Sequence, residues 1–168
     1  MKGLAIFAAG FFALSCVAAA AAVDSSLSPA ANAAFLAANK NKPGVTVTTD
    51  GLQYRIIQSG FGKRPTPTDI VTVDYKGSLI NGKVFDATEP ELPAQFPANK
   101  LIPGWTEALL LMREGDNWEL VIPPQLAYGD RGAGSVIPPG QTLVFDLHLI
   151  SVAPAPPEPK QGDEDRSQ

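Results

Sequence analysis

The 168-residue chain is 45% hydrophobic and 18% charged, with a net charge of −4, one Cys and one His. A single Cys excludes an intramolecular disulfide, Cys16 and His148 alone cannot supply a four-ligand structural zinc site, and an acidic chain without clustered Lys and Arg excludes nucleic-acid binding through phosphate contacts. The length suits one domain, punctuated by 16 Pro and 15 Gly, a moderate excess that falls short of a disordered composition.

At the N-terminus, Lys2 precedes an apolar run from Leu4 to Val17 and an Ala-rich stretch to Ala22. A basic start, a short apolar core and small residues beyond it read as a signal peptide over residues 1–22, cleaved after one of Ala20 to Ala22. The run is short for a bilayer span of roughly 20 residues. Ala13-Leu14-Ser15-Cys16 loosely resembles a bacterial lipoprotein box with its Leu displaced by one position. Lipidation at Cys16 is the alternative to ordinary cleavage, which leaves a mature chain without Cys.

Ser28-Pro29 supplies an N-cap and a first-turn Pro, and the Ala-rich run behind them predicts a short helix near 29–40, stopped by Pro43-Gly44. With only Phe35 and Leu36 as large apolar residues, this helix in a 23–44 extension is expected to bury little. Strand patterns begin at Val45 and continue through 52–58. Over 70–76, Val71, Val73 and Tyr75 alternate with Thr72, Asp74 and Lys76. Asn81-Gly82 predicts a type I′ hairpin that returns through Val84-Phe85-Asp86. Pro103-Gly104 opens a second helix whose Trp105, Ala108, Leu109 and Met112 form one apolar stripe. Strands follow at 117–122 and 142–151, separated by the Gly-rich segment 129–134 and by Pro138-Pro139-Gly140. The expected class is α+β, an antiparallel sheet wrapped over one short helix, with the main domain at 45–152. Residues 153–168, Pro-rich and charged without a large apolar group, are expected to be a disordered tail.

Familiar catalytic sets are missing. His148 alternates with Leu147 and Leu149 and so falls on the polar face of a strand, without a partnered Ser or Cys nucleophile. Gly129 to Gly134 lacks the Lys-Ser/Thr ending of a phosphate loop. Tyr75, Phe85, Trp105, Tyr128 and Phe145 instead gather at strand faces, a helix start and loop edges. Ordinary core packing explains most such spacing, but Tyr128 lies in a loop between Pro123-Pro124 and Gly129, and Asp86 places a carboxylate beside apolar surface. An apolar pocket with a few polar groups is the usual form of a binding site.

These residues occur in an ordered set. It comprises Phe35 to Val45, Gly51-Leu52-Gln53-Tyr54, Val73-Asp74-Tyr75-Lys76-Gly77 and Gly82-Lys83-Val84-Phe85-Asp86. It continues with Leu101-Ile102-Pro103-Gly104-Trp105-Thr106-Glu107-Ala108, Val121 to Gly129, Ile137-Pro138-Pro139 and Leu143-Val144-Phe145-Asp146. In this set the chain resembles the FKBP-type peptidyl-prolyl cis-trans isomerases, in their bacterial exported, macrophage-infectivity-potentiator-like branch, over about residues 32–152. The resemblance implies a five- to six-stranded antiparallel sheet curled around the helix at Trp105. It implies a rotamase that assists folding of exported proteins, with the periplasm as its compartment and a secreted or outer-membrane-associated form as the alternatives.

By the same resemblance Asp86, Tyr128, Phe85, Trp105 and Phe145 carry catalysis, and Tyr75, Leu101, Ile102, Ile137, Phe96 and Val136 contact substrate. Trp105 is the expected pocket floor, and the Ile102 N–H and the Tyr128 hydroxyl are the expected partners of substrate carbonyls. No cofactor or metal is expected; the partners are proline-containing polypeptide clients and macrolide inhibitors. Two departures bear on the rim: Phe96 stands alone where the family often has two aromatics, and residues 130–135 contain no aromatic or His. The short stretch before Asn41, where the branch often has a long dimerising region, predicts a monomer. The alternative function is a folding chaperone or interaction module that uses the same pocket with little turnover.

Overall fold

Residues 24–156 are described by the structure, a computed structural model. The expected leader at 1–22 and all but the first few residues of the expected tail lie outside the described residues. In chain order the elements are α1 (Pro29–Asn39), β1 (Val45–Val47), β2 (Gln53–Gln58), β3 (Ile70–Leu79), β4 (Val84–Ala87), β5 (Ala94–Pro97), α2 (Pro103–Leu111), β6 (Asn117–Ile122) and β7 (Leu143–Ala153). The sheet is antiparallel throughout, ordered β1-β2-β6-β7-β3-β4. β5 pairs with the first half of β3, on whose second half β4 lies. The seven strands include one more than the expected five to six. The addition is β5, an edge strand that accommodates Pro97 at its end.

Period-two patterning decides which face is buried. Val71 and Val73 of β3, Leu120 and Ile122 of β6, and Leu143, Leu147 and Leu149 of β7 are fully buried, while His148 between its leucines is not. The stripe Trp105, Ala108, Leu109 and Met112 of α2 packs into the same core. Each fully buried Leu, Ile or Val contributes about 1.5–3 kcal/mol over its exposed form. Gly104 brings the start of α2 against β6, since a Cβ there would meet Ile122 Cγ2 at 2.5 Å.

One local expectation is corrected, and the small apolar burial expected of α1 is observed. The Asn81-Gly82 turn is not type I′, because Asn81 is not among the positive-φ residues; Gly82 alone takes φ +85°. Gly82 N–H donates to Leu79 O and Leu79 N–H to Lys83 O, both 2.9 Å, which closes a three-residue loop with glycine at its left-handed position. Helix α1 is docked by amides and not by apolar area: Asn32 and Asn39 are its buried residues, and both bond to the main domain. Its start is as expected, with Ser28 Oγ accepting from Ala31 N–H at 3.2 Å and Pro29 in the first turn.

Candidate functional site

The site begins with a break in alternation. Along β3 and β4 the register runs Lys76 to Ala87 and Gly77 to Asp86, then slips so that Ser78 faces Val84. Phe85 is therefore the extra residue of a β-bulge, the device that re-aims side chains beside a pocket. It lets two consecutive residues, Phe85 and Asp86, line the same cavity, which a regular strand forbids. Gly77 opposite makes room: a Cβ there would sit 2.6 Å from the Phe145 ring and 2.7 Å from that of Phe85.

Under the bulge lies a cavity of about 450 Å³ lined by Tyr75, Phe85, Asp86, Phe96, Lys100, Leu101, Ile102, Trp105, Tyr128 and Phe145. Trp105, in the first turn of α2, is buried at the centre of the aromatic set. Tyr75 meets it edge-on at 5.0 Å between centroids, Phe145 at 5.2 Å and Phe96 at 6.3 Å. Phe85 stands edge-on to Phe145 at 5.6 Å. Edge-to-face pairs of this kind add about 0.5–1.5 kcal/mol each beyond area burial and fix ring orientations. The Trp105 Nε1–H is buried without a protein partner.

Polar groups are few. Tyr75 Oη donates to Asp86 Oδ2 at 2.7 Å. Burial foremost, then this bond and the Asp86 charge, pushes the Tyr75 phenol well above its ordinary pKa, so it stays a neutral donor. Tyr128, half-exposed, lies between two short 3-10 turns at Pro124–Leu126 and Gly129–Arg131. Lys100 is the cation of the lining, set by a turn in which its N–H donates to Pro97 O at 3.0 Å.

Two residues named from the sequence are not brought to the cavity wall. Residues 129–140 fold back on themselves, with Ala133 N–H to Ile137 O at 2.8 Å and Ile137 N–H to Ala133 O at 3.1 Å. That turns Ile137 into the core and leaves Val136 exposed at the tip. Lys100 was not singled out in the sequence, where nothing but its place just before Leu101-Ile102 marks it. No group of three or more His, Cys, Asp or Glu able to hold a metal occurs among the described residues, and no described helix is long and apolar enough to cross a membrane.

Residues 62–150 match the family model described as FKBP-type peptidyl-prolyl cis-trans isomerase. Residues 14–56 match that of the domain amino-terminal to it. The outer membrane protein MIP of Legionella longbeachae is 54% identical over 123 residues, covering 73% of this chain and 53% of the relative. The FKBP-type 22 kDa peptidyl-prolyl cis-trans isomerase of Escherichia coli is 52% identical over 119 residues, covering 70% of this chain and 58% of the relative. The chain thus spans about half the length of these curated relatives. Among solved structures, FkpA from Escherichia coli aligns with a TM-score of 0.73 at 42% identity, covering 76% of this chain and 60% of that one. A peptidyl-prolyl cis-trans isomerase from Pseudomonas syringae aligns with a TM-score of 0.70 at 41% identity, covering 74% of this chain and 92% of that one.

Proposed function

Because the chain belongs to the FKBP-type peptidyl-prolyl cis-trans isomerase family, we propose that it accelerates rotation about X–Pro bonds in polypeptides by favouring the twisted amide in the cavity over Trp105. The observation that carries this reading is the aromatic basin itself: Trp105 boxed edge-on by Tyr75, Phe96 and Phe145, with Asp86 anchored at its side.

An X–Pro bond crosses a barrier of about 18–20 kcal/mol because amide resonance opposes twisting. The twisted amide has lost that resonance, carries less charge on its oxygen and tolerates an apolar setting better than the planar form. Rings that exclude water therefore stabilise the transition state more than the ground state. The Asp86 carboxylate, held in place by the Tyr75 hydroxyl, adds to this difference. A negative group beside the carbonyl opposes the oxygen charge that resonance supplies to the planar amide. Each ~1.36 kcal/mol gained only in the transition state is about tenfold in rate, so ~4 kcal/mol gives about a thousandfold. No nucleophile is needed.

In this mechanism Trp105 receives the proline ring, Phe85 and Phe145 wall it, and Leu101 and Ile102 form the lip. The Ile102 N–H and the Tyr128 hydroxyl bond the flanking carbonyls, and Phe96 closes the side opposite Phe85. Val136 and Ile137 act from the loop behind Tyr128. The clients are proline-containing polypeptides met after export, which the leader pattern at 1–22 and the relative named as an outer membrane protein support, with the periplasm as the compartment.

The test is a protease-coupled assay on a proline tetrapeptide that the protease cleaves only in its trans form. Acceleration of the cis-limited phase at an enzyme concentration far below that of peptide supports the reading. Tight peptide binding without acceleration would assign the chain to the binding-module class instead.

A further inference from the structure

The cavity is held from the far end of the chain. Asn32, in the first half of α1, is 3% exposed. Its Nδ2 donates to Leu27 O and Ser28 O at 3.1 Å and to Gln141 Oε1 at 3.2 Å. Its Oδ1 accepts from Thr142 N–H at 2.7 Å. Gln141, also buried, donates from Nε2 to Leu27 O and to Pro139 O, both at 3.0 Å. The neighbouring Gly140 N–H donates to Gly129 O at 2.9 Å, and Gly129 directly follows Tyr128 of the cavity wall. One short segment, 139–142, is thus tied on one side to α1 and on the other to the base of the loop that bears Tyr128.

That loop needs an external tie. Gly129, Gly132, Gly134 and Gly140 all take positive φ, and glycine in these regions restrains the backbone least. The pair between Ala133 and Ile137 holds the tip, which leaves the base to the Gly140 bond and to whatever fixes Gln141. A buried amide with all its groups engaged is costly to disturb.

We propose that Asn32 is a positioning residue for the isomerisation site: through Gln141 and Thr142 it fixes the base of the 129–140 loop and so the place of Tyr128. The N-terminal helix is then a brace of the site and not only an extension that precedes the domain. The proposal rests on the cavity being the isomerase site.

Asn39 provides an internal control. It is equally buried on the same helix, but its Nδ2 bonds Gln53 Oε1 at 2.9 Å on β2, away from the loop. The experiment measures peptide isomerisation by the full chain, Asn32→Ala, Asn39→Ala, Tyr128→Phe and the Asn32→Ala/Tyr128→Phe double variant, with circular dichroism at the assay temperature. The expected result is a loss in kcat/KM of about three- to thirtyfold for Asn32→Ala and none beyond experimental error for Asn39→Ala. In the Tyr128→Phe background, Asn32→Ala costs much less than it does alone, as a cycle through a shared group requires.

Equal effects of the two asparagine variants, or additive losses in the cycle, overturn the brace. If Asn32→Ala does not fold, Gln141→Leu replaces it. That change cuts the ties to Leu27, to Pro139 and to Asn32 Nδ2 while leaving the bond between Thr142 and Asn32, and the same outcomes decide. An unaltered chain that fails to accelerate isomerisation refutes the function of the cavity, a result distinct from failure of the brace.

Discussion

The Tyr75 hydroxyl on β3 donates a 2.7 Å hydrogen bond to Asp86 on the bulged strand β4, joining the cavity's side wall to its one anchored carboxylate. The bond spans the pair of strands whose register slips at Phe85.

Breaking this pair from either side is expected to lower turnover with the fold intact. Asp86→Leu, which removes the charge and fits an apolar wall, reduces kcat/KM by about tenfold or more, equivalent to ~1.4 kcal/mol. Phe85→Ala gives a loss of the same order. Tyr75→Phe leaves the carboxylate unanchored and gives a smaller loss. Tetrapeptide assays with near-ultraviolet circular dichroism check all three; unchanged turnover in folded Asp86→Leu removes the residue from the mechanism.

The Tyr75 phenol gives a pH prediction of definite sign. Its pKa is raised in the folded state, chiefly by burial, so the folded protein holds the proton more tightly than the unfolded chain. The contribution is fully present below the unfolded value of about 10 and is lost as pH climbs past it. The urea midpoint should therefore show no Tyr75-linked change between about pH 7 and 9 and should fall above about pH 10. Tyr75→Phe should fall less steeply over that upper range.

Acid sensitivity should appear at Asp69. This nearly buried carboxylate accepts from Thr66 N–H at 2.9 Å and faces Lys63 Nζ at 3.1 Å. The Thr66 amide first, and Lys63 after it, hold its pKa below the ordinary value against the opposing effect of burial. Its contribution is present above the unfolded value of about 4 and disappears as pH falls below it. Asp69→Asn should lower stability at pH 7 and flatten the loss between about pH 4 and 2, read by denaturant midpoints.

Gly77 should not tolerate a side chain. Gly77→Ala places a methyl within 3 Å of both the Phe85 and Phe145 rings. Overpacking of this kind costs about 1–3 kcal/mol. Because the displaced rings line the cavity, thermal stability and turnover should fall together, unlike Asp86→Leu, which lowers turnover alone.

Fluorescence separates the two tryptophans. Trp105 lies in the cavity wall, whereas Trp118 is buried and stacked on Tyr54 at 4.4 Å and 11°. A proline peptide should change the emission of the native chain and of Trp118→Phe. It should leave that of Trp105→Phe unchanged. A response that survives in Trp105→Phe places the peptide elsewhere.

Much of this was legible in the sequence because regular periodicity wrote it there. Val71, Val73 and Tyr75 alternate, and the strand they predict, β3, pairs with β7 along its length and with β4 and β5 on its other side. The stripe from Trp105 to Met112 has helical spacing and packs as spacing says. What escaped lies where period and function part. The resemblance names both Phe85 and Asp86, but the bulge that lets two consecutive residues line the cavity is one that no alternation reveals. Helix α1 is as poor in buried apolar residues as its composition says, but counting apolar side chains does not register Asn32 and Asn39 as its anchors. Asn81-Gly82 signalled a hairpin correctly but not its loop length, which depends on where the pairing resumes at Lys83. Lys100, which nothing in the sequence marks, lines the cavity, and Ile137 packs in the core, because the path of the turn after β5 and the fold of the 129–140 loop leave no periodic signal.

Whether aromatic rings and one anchored carboxylate speed rotation about X–Pro bonds is decided on a protein whose refolding is limited by proline isomerisation. Followed with catalytic amounts of the full chain, the slow phase should accelerate in proportion to enzyme at ratios well below one to one. Asp86→Leu should reduce that acceleration by about tenfold. A slow phase that shortens only near equimolar amounts, or equally with Asp86→Leu, would contradict the account.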